Sequence, residues 1–576
     1  MSAILLFFII ILMLVLLCFY QHKTLMIFAV VMFICFGLGW ISQKELLANA
    51  SNSSLVTLVI IMILASVIEK TSVLRKLQNL LIAKTEKKTL IKVLSVSALS
   101  SSVLNNTAVV AILIKAINNS KAVLPSRLLI PMSYATIMGG TLTLIGTSTN
   151  LVVSSMYSAA TGSKGFGFFD FTIVGAVVTI FGCITLYFAS RFLPKKEPQA
   201  NSYSSYMVEA EILSKSSLIG KSIEKAGLRH LEDLFLAEII RKNGDRICPV
   251  KPHNILSDGD KLLFSGDIQK VSILNQFDGL QLYAQTEGFD TLQLTEVLVK
   301  QDSSIIGKSL KDVEFRSKFD AAVVAVRRDG ERISGKLGKL IIKAGDILLL
   351  ATGEDFRSRA NISQNFLVIK GVEPKRVITG WREALVIFGF IAVIVYSVFS
   401  GASLFSGMFV LLGMLILTKS ISISEIKNSF PTEVWLIVTS SLCIATSMDN
   451  TGLASSIAIF SKTYLAGHSA MFIFVGIFIT TILLTEFITN NAAAALMFPV
   501  AYNLALGVGI NVFPVVLGVA FAASASFLTP YGYQTNLMVM NAANYKWRDF
   551  IVTGVPVSIV YIVSCCVMIP IIYPLY

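Results

Sequence analysis

Charged residues are scarce in this 576-residue chain: Asp, Glu, Lys and Arg together make up only 14% of it, against about 25% in soluble globular proteins. Hydrophobic residues make up 54%, and the mean hydropathy is +0.73. A chain this apolar cannot bury its surface in one soluble core, so the composition predicts a polytopic membrane protein. The long apolar stretches are continuous rather than alternating, which favours α-helical spans over a β-barrel. They comprise residues 3–20, 25–42, 171–193, 379–397, 403–418 and 551–575.

Patterns that indicate a metal site or a catalytic centre are also missing from the sequence. The seven cysteines and four histidines are scattered, without metal-ligand spacing and without a nucleophile beside a general base. We therefore expect neither an enzyme nor an organic cofactor in the membrane part. The net charge of +13 is explained by Lys and Arg in the cytoplasmic loops of an inner (plasma) membrane protein, and not by nucleic-acid binding.

A stretch of ordinary soluble composition interrupts the apolar chain. Arg191, Lys195 and Lys196 precede it, and Lys375 and Arg376 follow it. Because positive residues accumulate on the cytoplasmic side of a multi-pass protein, we expect this insert in the cytoplasm. The predicted membrane halves on either side are residues 1–194 and 377–576.

The insert contains a tandem repeat. Segment 216-SSLIGKSIEKAGL recurs as 303-SSIIGKSLKDVEF, and 241-RKNGDRI recurs as 327-RRDGERI. Asn-Gly and Asp-Gly turns between β-branched runs are typical of β-hairpins. The repeat therefore predicts two small α+β domains, at residues 203–284 and 288–370. The matching glycines are Gly220 and Gly307, Gly244 and Gly330, and Gly259 and Gly345.

The membrane part is duplicated as well. An Asn-Asn pair at 105–106 recurs at 490–491, and a Thr-Asn pair at 149–150 recurs at 535–536. Internal duplication of this kind is typical of transporters built from inverted repeats. Short apolar arms around the Asn-Asn pairs predict re-entrant hairpins, and the Gly- and Thr-rich segments around the Thr-Asn pairs predict broken helices. The predicted hairpins comprise residues 88–118 and 470–508.

A turn at membrane depth must line a cavity or bind a ligand, because its backbone groups have no water to bond with. The two helices that begin after the Asn-Asn pairs offer N–H donors and partial positive charge to an anion. Unwound segments leave carbonyl oxygens free for Na⁺. Glu486, four residues before Asn490, indicates cation or proton binding, with a hydrogen-bonded structural acid as the alternative.

These motifs together resemble the divalent anion:sodium symporter family, within the broader ion-transporter superfamily. The resemblance rests on the tips Asn105-Asn106-Thr107 and Asn490-Asn491-Ala492 and on the segments 146-GTSTN and 529-TPYGYQTN. The repeated insert is similar to paired TrkA-C domains, the C-terminal subdomains of RCK proteins. The resemblance implies an inverted-repeat homodimer that moves by an elevator-type mechanism within membrane lipid. It also implies an insert that either senses an unidentified ligand or stabilises the dimer.

The resemblance further implies a set of site residues. The anion is expected between the hairpin tips, in contact with Asn105, Asn106, Thr107, Thr147, Ser148, Asn490, Asn491, Tyr533 and Gln534. One Na⁺ site per half is expected. Ser101, Asn105, Asn106 and Gly146 would form the first, and Glu486, Thr489, Asn491 and Gly532 the second. Asn in place of Ser at both tips distinguishes this chain from the dicarboxylate carriers.

The leading hypothesis is Na⁺-coupled symport of a small divalent anion, with sulfate first and a C4-dicarboxylate second. Helix N-termini and amide donors suit a compact tetrahedral oxyanion. One alternative is a cation/proton antiporter that uses Glu486, which the lack of a clear pair of intramembrane acids disfavours. The other is a ligand-gated channel, suggested by the TrkA-C-like repeat and disfavoured by the lack of a filter-like pore loop.

Overall fold

The chain forms two compact units. The membrane unit comprises Met1–Lys195, Val377–Met540 and Tyr545–Tyr576, and the second unit comprises Lys196–Arg376 and Asn541–Asn544. The computed structural model describes residues 2–20, 23–72, 81, 85–118, 124–194, 206–228, 231, 234–243, 245–247, 250–266, 273–274, 276–282, 294–301, 303–328, 331–333, 339–357, 359, 361–370, 378–400, 404–465, 467–543 and 545–576. Several residues singled out above lie outside these ranges: Lys195, Lys196, Gly244, Gly330, Lys375 and Arg376.

The described residues of the first half of the membrane unit form helices that are joined by turns and loops. Its helices are α1 (Ser2–Phe19), α2 (Thr24–Gly37), α3 (Gln43–Ala50), α4 (Ser53–Ile68), α5 (Glu86–Ser101), α6 (Asn106–Asn118), α7 (Pro125–Gly140), α8 (Ser148–Thr161) and α9 (Thr172–Ala189). Helices α5 and α6 form the first predicted hairpin, and α7 and α8 form the first broken helix. The structure therefore has a helix–turn–helix and a break at these residues, whereas the re-entrant path of the hairpin in the membrane stays a prediction.

The second half repeats this order among the described residues, with one further helix, α16, before the hairpin. Its helices are α12 (Trp381–Ser400), α13 (Leu404–Leu417), α14 (Ile423–Ser429), α15 (Thr432–Thr451), α16 (Leu453–Tyr464), α17 (Ala470–Phe487), α18 (Asn490–Val508), α19 (Val512–Ser524), α20 (Gln534–Ala543) and α21 (Trp547–Ile572). Helices α17 and α18 form the second hairpin, and α19 and α20 form the second broken helix. The arms of the second hairpin have 18 and 19 residues, which is longer than the short arms expected from the sequence.

Seven helices in the described part of the chain are long and apolar enough to cross a membrane, by length and composition. They are Ser2–Phe19, Gln43–Ile68, Thr172–Phe192, Trp381–Ser400, Ala470–Phe487, Asn490–Val508 and Trp547–Ile572. Apolar side chains on α1, α9 and α12 are widely exposed on the protein surface, as expected for helices in contact with lipid. The prediction of a multi-pass helical membrane protein is confirmed.

Two short helices, α3 and α14, begin with the same local motif. Ser42 and Ser422 each accept the backbone N–H of a Glu three residues on, and that Glu accepts the backbone N–H of the Ser in return. This reciprocal capping box satisfies two donors that a helix start otherwise leaves unbonded. The sequence repeat therefore extends to these helices, which the landmarks chosen above did not reveal.

The second unit contains two five-stranded antiparallel sheets of identical strand order. The first sheet has the order β3-β2-β4-β1-β5, and the second has β8-β7-β9-β6-β10. The strands are β1 (Tyr206–Ile212), β2 (Leu234–Ile240), β3 (Arg246–Ile247), β4 (Lys261–Gly266), β5 (Leu280–Leu282), β6 (Leu294–Val299), β7 (Ala321–Arg328), β8 (Glu331–Arg332), β9 (Ile347–Thr352) and β10 (Phe366–Lys370). Short helices α10 (Phe315–Phe319) and α11 (Asn361–Asn365) accompany the second sheet.

The two sheets also share their buried ion pair. Arg241 contacts Asp260 at 2.5 Å in the first copy, and Arg328 contacts Asp346 at 2.7 Å in the second. Both aspartates are buried, and a buried carboxylate is stable only when it is paired and hydrogen-bonded. The pairs therefore fix the turn before β4 and β9 in the same way.

Candidate functional site

Each hairpin has a second helix that begins at an asparagine, α6 at Asn106 and α18 at Asn490. A hydroxyl group five residues earlier donates to the side-chain oxygen of that asparagine. The donor is Ser101 in the first hairpin, and Thr485, at 2.9 Å, in the second. Asn106 and Asn490 are therefore structural counterparts, and the register of the two hairpins differs by one residue from the alignment of the Asn-Asn pairs.

This register changes which residues share a role. Asn491 matches Thr107 and not Asn106, because each is the second residue of its helix. Thr485 takes the place of Ser101. Thr485 was not among the predicted site residues. The spacing that identifies it is visible in both halves, because a hydroxyl residue lies five positions before the asparagine that begins the helix.

The break in the first half is fixed by one threonine and one asparagine. The Thr143 hydroxyl donates to the carbonyl oxygen of Ser102 at the hairpin tip and accepts the N–H of Gly146 at 3.2 Å. Asn150 donates from Nδ2 to the Thr143 carbonyl oxygen at 2.9 Å. The threonine thus joins the tip to the break, and the asparagine joins the break to α8.

The second half uses the same connections. The Thr529 hydroxyl donates to the Glu486 carbonyl oxygen at 3.5 Å and accepts the N–H of Gly532 at 3.2 Å. Asn536 donates to the carbonyl oxygens of Ser526 at 2.9 Å and Thr529 at 3.4 Å. The two threonines were not predicted, but the spacing Thr-x-x-Gly-x-x-x-Asn occurs at both breaks and would have indicated them.

Gly146 and Gly532 occupy the point of closest approach between tip and break. A Cβ atom on Gly146 would lie 2.9 Å from the Ser101 carbonyl oxygen, and one on Gly532 would lie 3.0 Å from the Thr485 carbonyl oxygen. Only glycine allows the backbone this close. As a result, carbonyl, hydroxyl and amide oxygens gather at each tip, which is the ligand set that a hard cation such as Na⁺ prefers.

Four helix N-termini, two from each half, are linked crosswise. The Thr107 hydroxyl on α6 donates to Gln534 Oε1 on α20 at 3.3 Å, and the Ser148 hydroxyl on α8 donates to Asn491 Oδ1 on α18 at 3.0 Å. In both pairs, the second residue of a hairpin helix contacts the first residue of the broken helix from the other half. The structure therefore brings together residues that are more than 340 positions apart in sequence.

Several polar groups at this junction are available to a ligand. Thr489 Oγ1 and Gln534 Nε2 are buried without a hydrogen-bond partner in the described structure. The helix starts at Thr147 and Thr489 are not capped by those side chains, so their first-turn N–H groups can donate elsewhere. Asn105, by contrast, is exposed and accepts the Thr107 N–H at 2.9 Å, which caps α6.

Tyr533 closes one side of the junction. Its hydroxyl accepts Asn106 Nδ2 at 2.5 Å and also bonds with Thr147. A tyrosine hydroxyl can both donate and accept, so Tyr533 connects the first hairpin tip to both broken helices.

Glu486 has a different environment from the other predicted cation ligands. Its side chain is 6% exposed. Oε1 accepts the backbone N–H groups of Phe527 and Leu528, both at 2.9 Å, and Oε2 accepts the N–H of Thr529 at 3.0 Å and the Ser526 hydroxyl at 3.4 Å. Both carboxylate oxygens are thus occupied by donors, and this geometry supports the structural-acid alternative.

Comparison with known proteins assigns the family. The model of the CitMHS family, described as citrate transporter, matches residues 5–517 and 395–575. The chain belongs to this citrate transporter family. It is therefore an ion transporter and not an enzyme, as the sequence predicts.

Two relatives cover nearly the whole chain, and a third covers part of it. A protein named as a sulfur deprivation response regulator of Chlamydomonas reinhardtii is 32% identical over 559 residues, which cover 91% of this chain and 93% of that protein. An uncharacterized transporter of Synechocystis sp. is 30% identical over 587 residues, covering 96% and 93%. Sodium/sulfate cotransporter 1 of Chlamydomonas reinhardtii is 26% identical over 368 residues, covering 62% and 42%. The assignment of the repeat to TrkA-C domains and of the chain to the divalent anion:sodium symporters stays a prediction.

Proposed function

We propose that this chain is a secondary active transporter that couples Na⁺ entry to uptake of a small divalent oxyanion, with sulfate as the first candidate and a C4-dicarboxylate as the second. The crosswise junction of four helix N-termini is the observation that carries the proposal. Among the described residues of the membrane unit, no Lys or Arg side chain is buried. Helix N-termini and amide donors can bind an anion without such a cation.

The junction suits a compact anion for a geometric reason. Gln534 Nε2, the hydroxyls of Thr107 and Ser148, and the uncapped first turns of α8 and α18 all belong to the helix starts that the crosswise pairs join. A tetrahedral dianion presents acceptors in every direction and can take donors from all four helices. Sodium/sulfate cotransporters among the relatives agree with this choice, whereas the family description makes citrate the competitor to test.

We place one Na⁺ in each oxygen cluster. Ser101, Asn106 and Gly146, three of the four residues predicted for it, would bind the first, whereas the fourth, Asn105, caps α6. Counterparts Thr485, Asn490 and Gly532 would bind the second, together with the unpartnered hydroxyl of Thr489. Each hydroxyl that now donates to an asparagine oxygen can turn its own oxygen to the ion, so that ion binding would reorganise the tip beside the anion.

Uptake of radiolabelled sulfate into proteoliposomes tests the proposal. We expect accumulation with an inward Na⁺ gradient and none with a K⁺ gradient, and competition by sulfate stronger than by succinate or citrate. Ser101→Ala and Thr485→Val should each lower the Hill coefficient for Na⁺. Ser102→Ala and Thr480→Val are matched controls, because these neighbouring hydroxyls bond only with carbonyl oxygens of their own helix or hairpin turn. Sulfate uptake that does not depend on the Na⁺ gradient would contradict the proposal.

We further propose that the hairpins and broken helices move together as the mobile part of an elevator. The tip-to-break bonds and the crosswise pairs join α5–α8 and α17–α20 into one hydrogen-bonded body. Helix α4 contacts that body where the Ser54 and Ser158 hydroxyls lie 2.7 Å apart. The double variant Ser54→Cys/Ser158→Cys should form a disulfide that stops transport until it is reduced. Full transport with the disulfide formed would contradict a sliding contact here.

We propose that the protein is a homodimer. We also propose that its second unit lies in the cytoplasm. On the membrane side, Arg127 bonds with Glu86 at 3.0 Å and with the Arg191 carbonyl oxygen at 3.4 Å, which gathers positive charge where the chain leaves α9. Positive residues mark the cytoplasmic face. Single-cysteine variants at Lys221 and Lys308 should resist an impermeant thiol reagent in intact cells and react after lysis. Cross-linking in native membranes tests the dimer.

A further inference from the structure

Glu486 is where the two halves of the site differ most. By position it is the counterpart of Ser102, since Glu486 follows Thr485 as Ser102 follows Ser101. The Ser102 hydroxyl only donates to the Leu99 carbonyl oxygen of its own helix, at 2.8 Å. The first half therefore has no acid at this position.

The difference is explained by the lengths of the two breaks. In the first half the break comprises residues 141–147, and in the second half it comprises residues 525–533, which is two residues longer. At the shorter break, the N–H groups of Thr141 and Leu142 remain bonded to carbonyl oxygens at the end of α7, each at 3.1 Å. At the longer break, three successive N–H groups lie beyond the reach of α19 and are accepted by Glu486 instead.

The same segment is held from its other side by the first half. The Tyr134 hydroxyl on α7 donates to the Phe527 carbonyl oxygen at 2.5 Å, and the two rings pack edge to face with centroids 5.2 Å apart. Backbone N–H groups of the segment thus bond with Glu486 and a carbonyl oxygen bonds with Tyr134. Between them, the two side chains fix the segment that leads to Tyr533 and Gln534.

We propose that Glu486 is a positioning residue, whose carboxylate holds residues 526–529 so that Tyr533 and Gln534 meet the first hairpin tip, and that it is not a direct ligand of the coupling ion. Each of its two carboxylate oxygens already accepts two hydrogen bonds from N–H or O–H donors. A bound Na⁺ would need the same oxygens. The inference rests on the proposed function only for its transport readout.

Hydrogen exchange measured by mass spectrometry tests this without a substrate. In wild-type protein in Na⁺-free buffer, the amides of residues 527–529 should be protected. Glu486→Gln places an amide donor against the backbone donors, so we expect these amides to exchange about tenfold faster or more. Exchange at residues 141–147 should stay unchanged in the same sample, which shows that the variant is folded. Ser102→Ala, the matched variant of the first half, should change neither segment.

Protection that appears only when Na⁺ is added, or unchanged exchange in Glu486→Gln, would overturn the proposal. Glu486→Asp, which keeps the charge on a shorter side chain, should restore part of the protection. In proteoliposomes, Glu486→Gln should raise the KM for sulfate more than it lowers the maximal rate, while leaving the Na⁺ Hill coefficient unchanged. A lower Hill coefficient would instead make Glu486 an ion ligand. If neither the wild-type protein nor any variant takes up sulfate, the proposal that sulfate is the substrate is wrong. The hydrogen-exchange result still decides the role of Glu486.

Discussion

The two halves of the membrane unit share the order of hairpin and broken helix and the same tip-to-break bonds, yet they satisfy the backbone of the break differently. The first half keeps its break short, so that the end of α7 satisfies the backbone. The second half has a longer break and uses the buried Glu486 carboxylate to satisfy three N–H groups. The comparison separates what the duplicated architecture requires, which is present twice, from what one half has added, which is present once.

The largest effect should come from the two glycines at the points of closest approach. Gly146→Ala and Gly532→Ala should each abolish Na⁺-dependent uptake, because the added Cβ would meet a backbone carbonyl oxygen that cannot move without shifting the hairpin tip. Gly476→Ala is the control, since its Cβ would meet nothing within 4 Å. If only one of the two glycines is essential, the halves do not share this contact functionally.

The two threonines that join tip to break should give unequal effects. The bond from Thr529 to the Glu486 carbonyl oxygen is long, at 3.5 Å, and the Glu486 carboxylate also accepts the Thr529 N–H, whereas the tip-to-break bond of Thr143 has no such support. Thr143→Val should therefore reduce uptake by about three- to tenfold, within the range of one hydrogen bond, and Thr529→Val by less. Serine at either position should restore uptake because it keeps the hydroxyl. Equal losses of uptake would show that the bond from the Thr529 N–H to Glu486 does not compensate for the loss of the Thr529 hydroxyl.

The crosswise pairs should have smaller and independent effects. Thr107→Val and Ser148→Ala each remove one hydroxyl-to-amide bond and should each raise the KM for sulfate by about two- to fivefold. The effects in the double variant should multiply, because the two pairs share no residue. A double variant no worse than the worse single variant would mean that both hydroxyls act through one contact.

The smallest effect on transport is expected at α3 and α14. Ser42→Ala and Ser422→Ala remove one bond of each capping box and should lower stability by about 1 kcal/mol, measured as a lower melting temperature in detergent. The KM should not change. Ser456→Ala on α16 is the control, because its hydroxyl bonds only with a carbonyl oxygen of the preceding turn. A changed KM would place these short helices nearer to the mechanism than the structure indicates.

Hydropathy was enough to predict the multi-pass helical class, and the repeated landmarks marked the two helix–turn–helix segments and the two breaks. That the hairpins are re-entrant in the membrane stays a prediction. The bonds across the site were harder to predict. Asn105-Asn106 and Asn490-Asn491 look equivalent in the sequence. A helix begins at a residue whose N–H can stay without a partner in the helix, and this is the second Asn of the first pair but the first Asn of the second pair. Asn106 is therefore the counterpart of Asn490. Glu486 looked like an ion ligand because an acid in an apolar helix is costly. Its hydrogen-bond partners are three backbone N–H groups and the Ser526 hydroxyl, 40 to 43 residues further along the chain, which no local pattern reveals.

The crosswise pairs also bear on how the protein could have arisen and what it can hold. If a single ancestral half once assembled as an antiparallel pair, both crossings would have been the same pair of residues, and a ligand between them could have bound equally well in two directions. In the present chain one crossing is a threonine with a glutamine and the other is a serine with an asparagine. The two pairs therefore differ in chemistry, so that an anion at the proposed site would meet different groups on its two sides.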